Sequence, residues 1–557
     1  MFGKIDGAPA AMIRNLAYVF ASGVLLHAGA AFAAQPRNAA GSGAADPEAA
    51  ACAALTGSTV ADGSSVTLAS AVPAGSLRIS DNITVPNLPA FCRVQGISRP
   101  TADSNIRFEV WLPRPAAWNQ KFLSTGEGGF AGQIQYGRSG RDAALDENLR
   151  RGYATASTDT GHEAADLHFA IGHPERGIDY LTRAKHVTTV AAKEIIARYY
   201  GRPPVHAYFN SCSNGGREGL IEAQLYPDDF DGLILGAPWN FQSRSTIAHL
   251  WMRRLLSEPG AAIPSEKLPM VHAAVLKACD GADGLADGVI NNPASCHFDP
   301  KTLECKGDDG PACLTPAQVA SLTKIYEGPR DPRDGSSLFP GFSRGAETDT
   351  FGRPDSVAGL PEQFSVNFVY GDPNWDWRTF DLEKDMPAML EAGRIGAAGS
   401  TDFEAAKRRG VKIIQYHGWN DHGIPPGASV RYYEAVANAN GGLAKTQAFY
   451  RLFMVPGMGH CFGDVGASNF GGVGQQAPPV RDSAHDLMAA LEDWVERGIP
   501  PGEFIATKYV SPDPAATAVR FQRRLCMFPA VAKYKGAGDP NDAASFTCAK
   551  EAARASP

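Results

Sequence analysis

Val205-His-Ala-Tyr-Phe209-Asn-Ser211-Cys-Ser-Asn-Gly-Gly216-Arg217-Glu-Gly-Leu-Ile-Glu-Ala-Gln-Leu225 is the stretch on which the reading of this chain turns. A short apolar run ends at Phe209, a turn of small residues follows, and a segment of helical composition begins at Arg217. Strand, tight turn, helix is the context in which a serine can be held in a strained backbone conformation, because only small neighbours leave room for it. Ser213 is therefore the candidate nucleophile. The usual G-x-S-x-G spacing is altered, with Ser211 at its first place, so an ordinary strand-to-helix turn stands as the plain alternative.

Outward from this turn, similar apolar runs recur at Phe108–Leu112, Phe122–Ser124, Tyr153–Ser157 and Leu233–Leu235, separated by Gly/Pro turns. Between them Leu181, Ala184, Val187, Ala191, Ile195 and Tyr199 repeat every three to four residues and predict a helix over Ile178–Tyr200. Strands alternating with helices predict a parallel sheet covered on both faces. From about Trp239 to Gly399 the alternation is replaced by Pro, Gly, Asp and paired cysteines, and it resumes at Val411–Tyr416 and Tyr450–Val455. A chain of 557 residues exceeds one simple core. The expected organisation is an N-terminal linker and extension over residues 35–95, an α/β core assembled from 96–238 and 400–557, and an inserted subdomain over 239–399.

Composition narrows the class. The chain is 44% hydrophobic and 20% charged, with 59 Gly, 40 Pro and a formal net charge of −7, a turn-rich globular protein with no basic footprint for nucleic acid or membrane surfaces. Lys4 and Arg14, the apolar run Leu16–Leu26 and the small residues up to Ala34 read as a signal peptide over residues 1–34. The run is short for a membrane anchor, so export to a periplasm or beyond, as a soluble mature protein, is expected. All ten cysteines, Cys52, Cys92, Cys212, Cys279, Cys296, Cys305, Cys313, Cys461, Cys526 and Cys548, follow this segment. In an exported chain an even number favours disulfides; zinc lacks its C-x-x-C or H-x-x-x-H spacing.

A serine hydroxyl needs a base, and the base needs a carboxylate to fix its tautomer. In α/β-hydrolases these follow in the order Ser, Asp or Glu, His, each on a loop after a strand. His417-Gly-Trp-Asn-Asp421 follows one strand-like run and Pro456-Gly-Met-Gly-His460-Cys461 follows the next. Asp421 and His460 are the candidates, with Asp464 and His422 as local competitors. Cys212 adjoins Ser213 and Cys461 adjoins His460; a bridge between them would pin base beside nucleophile and, closing so long a loop, would contribute on the order of 5 kcal/mol in the chain-entropy account.

Cys212-Ser213, the Gly-Trp-x-Asp loop ending at Asp421, and His460-Cys461 resemble the CS-D-HC pattern of the tannase and feruloyl esterase family, which includes the enzyme hydrolysing mono(2-hydroxyethyl) terephthalate. The likeness spans about Cys52 to Cys548. It implies an α/β-hydrolase core with a large inserted lid, a triad of Ser213, Asp421 and His460, and further bridges Cys52–Cys92, Cys279–Cys296, Cys305–Cys313 and Cys526–Cys548. Acyl transfer also needs donors for the oxyanion. The Asn214 amide is one, and the glycine loop Gly126–Gly132 offers another, with Gly128 or Gly129 nearest the family position; a plain glycine turn is the alternative.

In the insertion, Asp280, Asp283 and Asp287 lie within eight residues and are separated by glycines. Such a set suits a hard cation with oxygen ligands or a solvated acidic turn. The resemblance implies a structural calcium in the lid, held by these three carboxylates and the carbonyls of Leu285 and Val289. His162, in Asp159-Thr-Gly-His162, is expected to be a loop histidine satisfied by backbone, with a place lining the site as the alternative, and the aromatics of 364–377 are expected to be mostly subdomain core, one or two of them facing a ring-bearing substrate. The activity implied is serine hydrolysis of an aromatic-acid ester through an acyl-enzyme, feruloyl first, galloyl or a terephthalate monoester as alternatives. Two other classes stay open: a peptidase on the same fold, and a non-catalytic secreted calcium-binding or adhesion protein. Nothing in the residues specifies an oligomeric state.

Overall fold

Ten strands join in one sheet. In chain order they are β1 Thr59–Val60, β2 Ser64–Val72, β3 Phe91–Ser98, β4 Ile106–Pro113, β5 Lys121–Thr125, β6 Ala154–Thr158, β7 His206–Cys212, β8 Gly232–Gly236, β9 Lys412–Gly418 and β10 Tyr450–Val455. Side by side they run β1-β2-β3-β4-β6-β5-β7-β8-β9-β10. The computed structural model describes residues 46–61, 63–137, 144–350, 359–396 and 398–550; the export signal expected over 1–34 and most of the linker lie outside the described residues.

The six strands from β6 to β10 are parallel, as expected. The other four are antiparallel and carry the sheet on through β4, which pairs with β6. This corrects the reading of residues 35–95 as linker and extension: β1, β2 and β3 are integral to the sheet. β1 is two residues long and β2 is rich in Ser and Ala, so little apolar signal betrays either strand, but Val66, Ala69, Cys92 and Val94 are buried in the core and Cys52–Cys92 ties the preceding helix to β3.

Adjacent residues of one strand face opposite sides, and the packing follows. Phe209, Leu233, Leu235, Ile413 and Leu452 pack with Ile195 and Leu220 of the helices on one face. Tyr208, Ile234, Ile414 and Phe453 pack with Leu487, Leu491 and Trp494 on the other. Burying each such side chain contributes about 1.5–3 kcal/mol. The helix expected over Ile178–Tyr200 comprises a π-helical turn, Asp179–Arg183, leading into the α-helix Ala184–Tyr200. Cys212 pairs with Gly236, Gly236 with Tyr416, and Gly418 with Val455. The carboxyl ends of β7 to β10 therefore share one edge, where α/β sheets bind ligands.

Between Gly236 and Lys412 the described residues add no strand to this sheet. They form helices, among them Gln242–Leu256, Leu268–Cys279, Pro316–Glu327 and Leu382–Ala392, around apolar clusters of their own. Val271, Val275, Leu322 and Ile325 belong to one, Ile247, Leu250, Met386 and Met389 to another. Two bridges, Cys279–Cys296 and Cys305–Cys313, are internal to this insertion. Beyond the sheet, two antiparallel hairpins carry Cys526–Cys548. With Cys212–Cys461, which the cysteines beside Ser213 and His460 suggested, and the four bridges implied by the resemblance, all five form. No helix among the described residues is long and apolar enough to cross a membrane.

Candidate active site

Ser213 sits at φ 65°, ψ −125° between β7 and the helix Asn214–Leu225. A non-glycine residue held there costs of order 1–3 kcal/mol and persists only where its surroundings impose it. They do so here: the Ser213 amide donates to the Gly236 carbonyl at 2.9 Å, and the Ser213 carbonyl accepts from the Arg217 and Trp239 amides at 3.1 and 3.0 Å. The two glycines after Asn214 let the helix close on the sheet. A Cβ on Gly215 would lie 1.9 Å from Ser211 Oγ, and one on Gly216 would lie 2.6 Å from the Gly236 carbonyl oxygen.

The loops after β9 and β10 arrive at the same edge. His460 Nδ1 donates to Asp421 Oδ2 at 2.8 Å, while Asp421 Oδ1 accepts from the Gly423 and Ile424 amides at 2.7 and 2.9 Å. Burial alone would raise the Asp421 carboxyl, but the His460 charge and the hydrogen bonds from His417 and His460 hold it well below the usual carboxylate range. Burial alone would lower His460; the Asp421 charge and hydrogen bond outweigh it and leave His460 above its ordinary 6.5. Of the competitors, Asp464 accepts from Asn420 Nδ2 at 2.7 Å, and the His422 ring centre lies 6.4 Å from that of His460. Cys212 and Cys461, bridged with Cα atoms 6.1 Å apart, hold the serine turn against the histidine loop.

Ser213 and His460 both line a cavity of about 390 Å³, within the range of small-ligand sites. Gly128 and Gly129 line it on the side of the loop after β5, and Asn214, at the first turn of its helix, is fully buried beside them; the first amides of a helix have no intrahelical acceptor. Trp239, Leu360, Ile424, Phe462 and Val473 make much of the remaining lining apolar. Trp239, His249, Leu360 and Pro361 come from the insertion.

The chain matches the family model described as tannase and feruloyl esterase over residues 92–549. It belongs to the tannase and feruloyl esterase family. An uncharacterised esterase of Xanthomonas campestris pv. campestris is 40% identical over 525 residues, covering 87% of this chain and 89% of the relative. A probable feruloyl esterase B-2 of Aspergillus flavus is 32% identical, covering 78% and 83%. The crystal structure of feruloyl esterase B from Aspergillus oryzae superposes with a TM-score of 0.82 at 27% identity, covering 90% of this chain and 100% of that one. Tannin acyl hydrolase from Aspergillus niger shares the fold, with a TM-score of 0.69 at 22% identity over 90% and 95%. The protein is thus a carboxylic ester hydrolase of this family.

Sequence reasoning missed the buried polar frame behind the esterase's serine turn. Asn214 Oδ1 accepts from Tyr180 Oη at 3.0 Å and Arg217 Nε at 2.8 Å, and Asn214 Nδ2 donates to the Glu127 carbonyl and to Glu218 Oε1 at 3.2 and 2.9 Å. Arg217, fully buried, also donates to the Leu181 and Tyr180 carbonyls. Lys185 pairs with Glu127 at 2.9 Å, and burial, then the Glu127 charge, push the Glu218 carboxyl up to about 8. The only available signal was charge in otherwise apolar helix faces. His162 stacks on Phe169 at 3.7 Å, and burial pushes it down to about 4.

The acidic loop of the insertion is folded tightly on itself. Asp280 accepts from the Asp287 and Gly288 amides at 3.3 and 2.9 Å, Asp283 from the Leu285 amide at 3.0 Å and from Asn291, and Asp287 from the Val289 amide at 3.2 Å. Burial, with the charges of Asp287 and Asp280 adding to it, raises the Asp283 carboxyl. An all-oxygen set under mutual repulsion fits a hard cation, although Asp287 also pairs with Arg523 at 2.6 Å. Among the described residues, the one group of three potential ligands gathered within 4.8 Å is His186, Glu222 and Asp229, in which His186 Nδ1 lies 2.6 Å from Asp229 Oδ2.

Proposed function

We propose that this esterase cleaves esters of aromatic carboxylic acids through an acyl-enzyme, with feruloyl-type esters as its substrates. The observation that carries the reading is the shared cavity of Ser213 and His460, flanked by the Cys212–Cys461 bridge, with His460 donating to the buried Asp421. Ser213 attacks the ester carbonyl, and His460 takes its proton and returns it to the leaving alcohol. Asp421 keeps the His460 proton on Nδ1, which leaves Nε2 as the base. The amides of Asn214 and of Gly128 or Gly129 receive the oxyanion, and water, activated by His460, then releases the acid. The apolar lining suits a planar ring, and the insertion over 239–399 acts as a lid that selects the acyl group.

A calcium ion held by the carboxylates of Asp280, Asp283 and Asp287 and the carbonyls of Leu285 and Val289 would relieve the repulsion among the three acids and cross-link the lid loop. Export through a cleaved signal over residues 1–34 accords with five disulfides and no free cysteine among the described residues. The test is a hydrolysis panel of methyl ferulate, methyl gallate and mono(2-hydroxyethyl) terephthalate with Ser213→Ala as control. Methyl ferulate is expected to be the best substrate. Preference for another ester reassigns the acyl group, and hydrolysis surviving in Ser213→Ala removes the mechanism.

A further inference from the structure

His460 shares its carboxylate oxygen with a second histidine. His417, at the end of β9 and fully buried, places Nε2 3.0 Å from Asp421 Oδ2 and 3.1 Å from the Ile424 carbonyl oxygen. Both neighbours are acceptors, so Nε2 carries a proton. On the other side of the ring, Nδ1 lies 2.7 Å from Ser429 Oγ. Gln415 Nε2 donates to that same oxygen at 2.7 Å, and Gln415 Oε1 accepts from the Tyr450 hydroxyl. Among the described residues, His417 Nδ1 and Gln415 Nε2 are the hydrogen-bond partners of Ser429 Oγ, and with Gln415 donating, His417 Nδ1 is the one acceptor left for the hydroxyl proton. The reverse amide orientation would make His417 a second buried cation on a carboxylate that already serves His460, and one carboxylate offsets one charge.

We infer that His417 is a positioning residue for the reaction proposed above: a neutral imidazole, held in its Nε2–H form by the buried chain Tyr450, Gln415 and Ser429, that donates to Asp421 and limits how strongly Asp421 binds the proton of His460. The inference rests on that proposed mechanism for its catalytic meaning, and on geometry alone for the state of His417. Removing the Nε2 donor concentrates the carboxylate charge on His460, favours its imidazolium and moves its titration upward. Other titratable and charged groups surround the pair. His422 faces His460, His249 binds the Gly423 carbonyl at 2.8 Å with Arg253 on its helix, and Asp464 lies in the His460 loop, held by Asn420. All stay in place in variants at position 417, so a difference among those variants reports on the donor.

The test is histidine nitrogen NMR on the intact protein, which needs no substrate. In the wild type, His417 is expected to show a protonated Nε2 and an unprotonated, hydrogen-bonded Nδ1 while His460 titrates. His417→Asn, whose amide reaches only the Nδ1 position, is expected to raise the His460 titration by about 0.5–1 pH unit and to lower kcat about tenfold with KM little changed. His417→Gln, whose amide nitrogen reaches the Nε2 position, is expected to restore both. A His460 titration that stays put in folded His417→Asn, or that shifts equally in His417→Gln, overturns the inference. If His417→Asn does not fold, the wild-type spectrum decides, since a proton on Nδ1 of His417 overturns it equally. Failure of the esterase reading would show elsewhere, in a Ser213→Ala protein that still hydrolyses ester.

Discussion

The two sides of the cavity are built differently. On the sheet side, Ser213, Asp421 and His460 sit on loops at the ends of parallel strands; Ser213 and Asp421 are fixed by backbone hydrogen bonds, His460 by Asp421, and Ser213 and His460 flank a disulfide. On the other side, Trp239, His249, Leu360 and Pro361 belong to an insertion with its own apolar clusters and bridges. A reacting geometry tolerates errors well below 1 Å, whereas a pocket surface distinguishes substrates by a few kcal/mol of contact. The sheet side is thus suited to chemistry and the inserted side to selection.

That division is broken most directly at the serine. Ser213→Ala is expected to lower kcat/KM by about a thousandfold to a millionfold for every ester tried; a loss confined to one acyl group would put Ser213 on the selecting side. Replacing Cys212 and Cys461 together by Ala should reduce hydrolysis roughly ten- to a hundredfold and destabilise the fold by about 2–4 kcal/mol, read by kinetics and denaturant titration. Undiminished activity would show that packing alone holds the two loops together.

The pH response separates chemistry from stability. His460 must be neutral to accept the serine proton, so kcat/KM should rise tenfold per pH unit up to an apparent value above 6.5, the ordinary histidine value. The folded-state pKa of His460 is raised, so its contribution to stability is fully present below 6.5 and is lost as pH rises through the raised value. Asp421 is depressed, so its contribution is present above 3.8 and is lost only as pH falls through the depressed value. The pair therefore stabilises the fold most between 3.8 and 6.5, below the pH at which the enzyme is most active. An acid limb below 6.5 would mean that Asp421 does not hold the His460 proton as drawn.

On the selecting side the effects are smaller. Trp239→Ala should raise KM for methyl ferulate about fivefold while leaving kcat for a short acyl ester nearly unchanged; an equal fall in kcat for both would make Trp239 part of the sheet side. Smallest of all, chelation should lower the melting temperature by a few degrees, about 1 kcal/mol of stability, with the Ser213 reaction retained. A purified protein without bound calcium would remove the ion from the lid.

Much of the sheet was legible because its six parallel strands are short, buried on both faces and carry apolar runs between Gly/Pro turns. β1 to β3 were not: β1 is two residues long, β2 is rich in Ser and Ala, and both join the sheet only through β3, which pairs with β4. The trio proposed for the chemistry could be picked out because tight turns and flanking cysteines leave a local imprint. The frame of Arg217, Glu218, Glu127, Lys185 and Tyr180 left little beyond charge in otherwise apolar helix faces, since buried polar partners obey hydrogen-bond geometry and not spacing.

By itself, then, the amino-acid sequence determined the candidates: a serine in a small-residue turn, an aspartate and a histidine after later strands, cysteines beside two of them, and helix and strand periods that build a sheet. These depend on backbone sterics and side-chain period, which act over a few residues. The tertiary structure alone decided that His460 binds Asp421 while Asp464 turns to Asn420, that His417 shares the same carboxylate oxygen, and that residues of the insertion complete the cavity. Those outcomes rest on contacts between segments far apart in the chain, where burial and the demand that every buried donor find an acceptor select one arrangement from many.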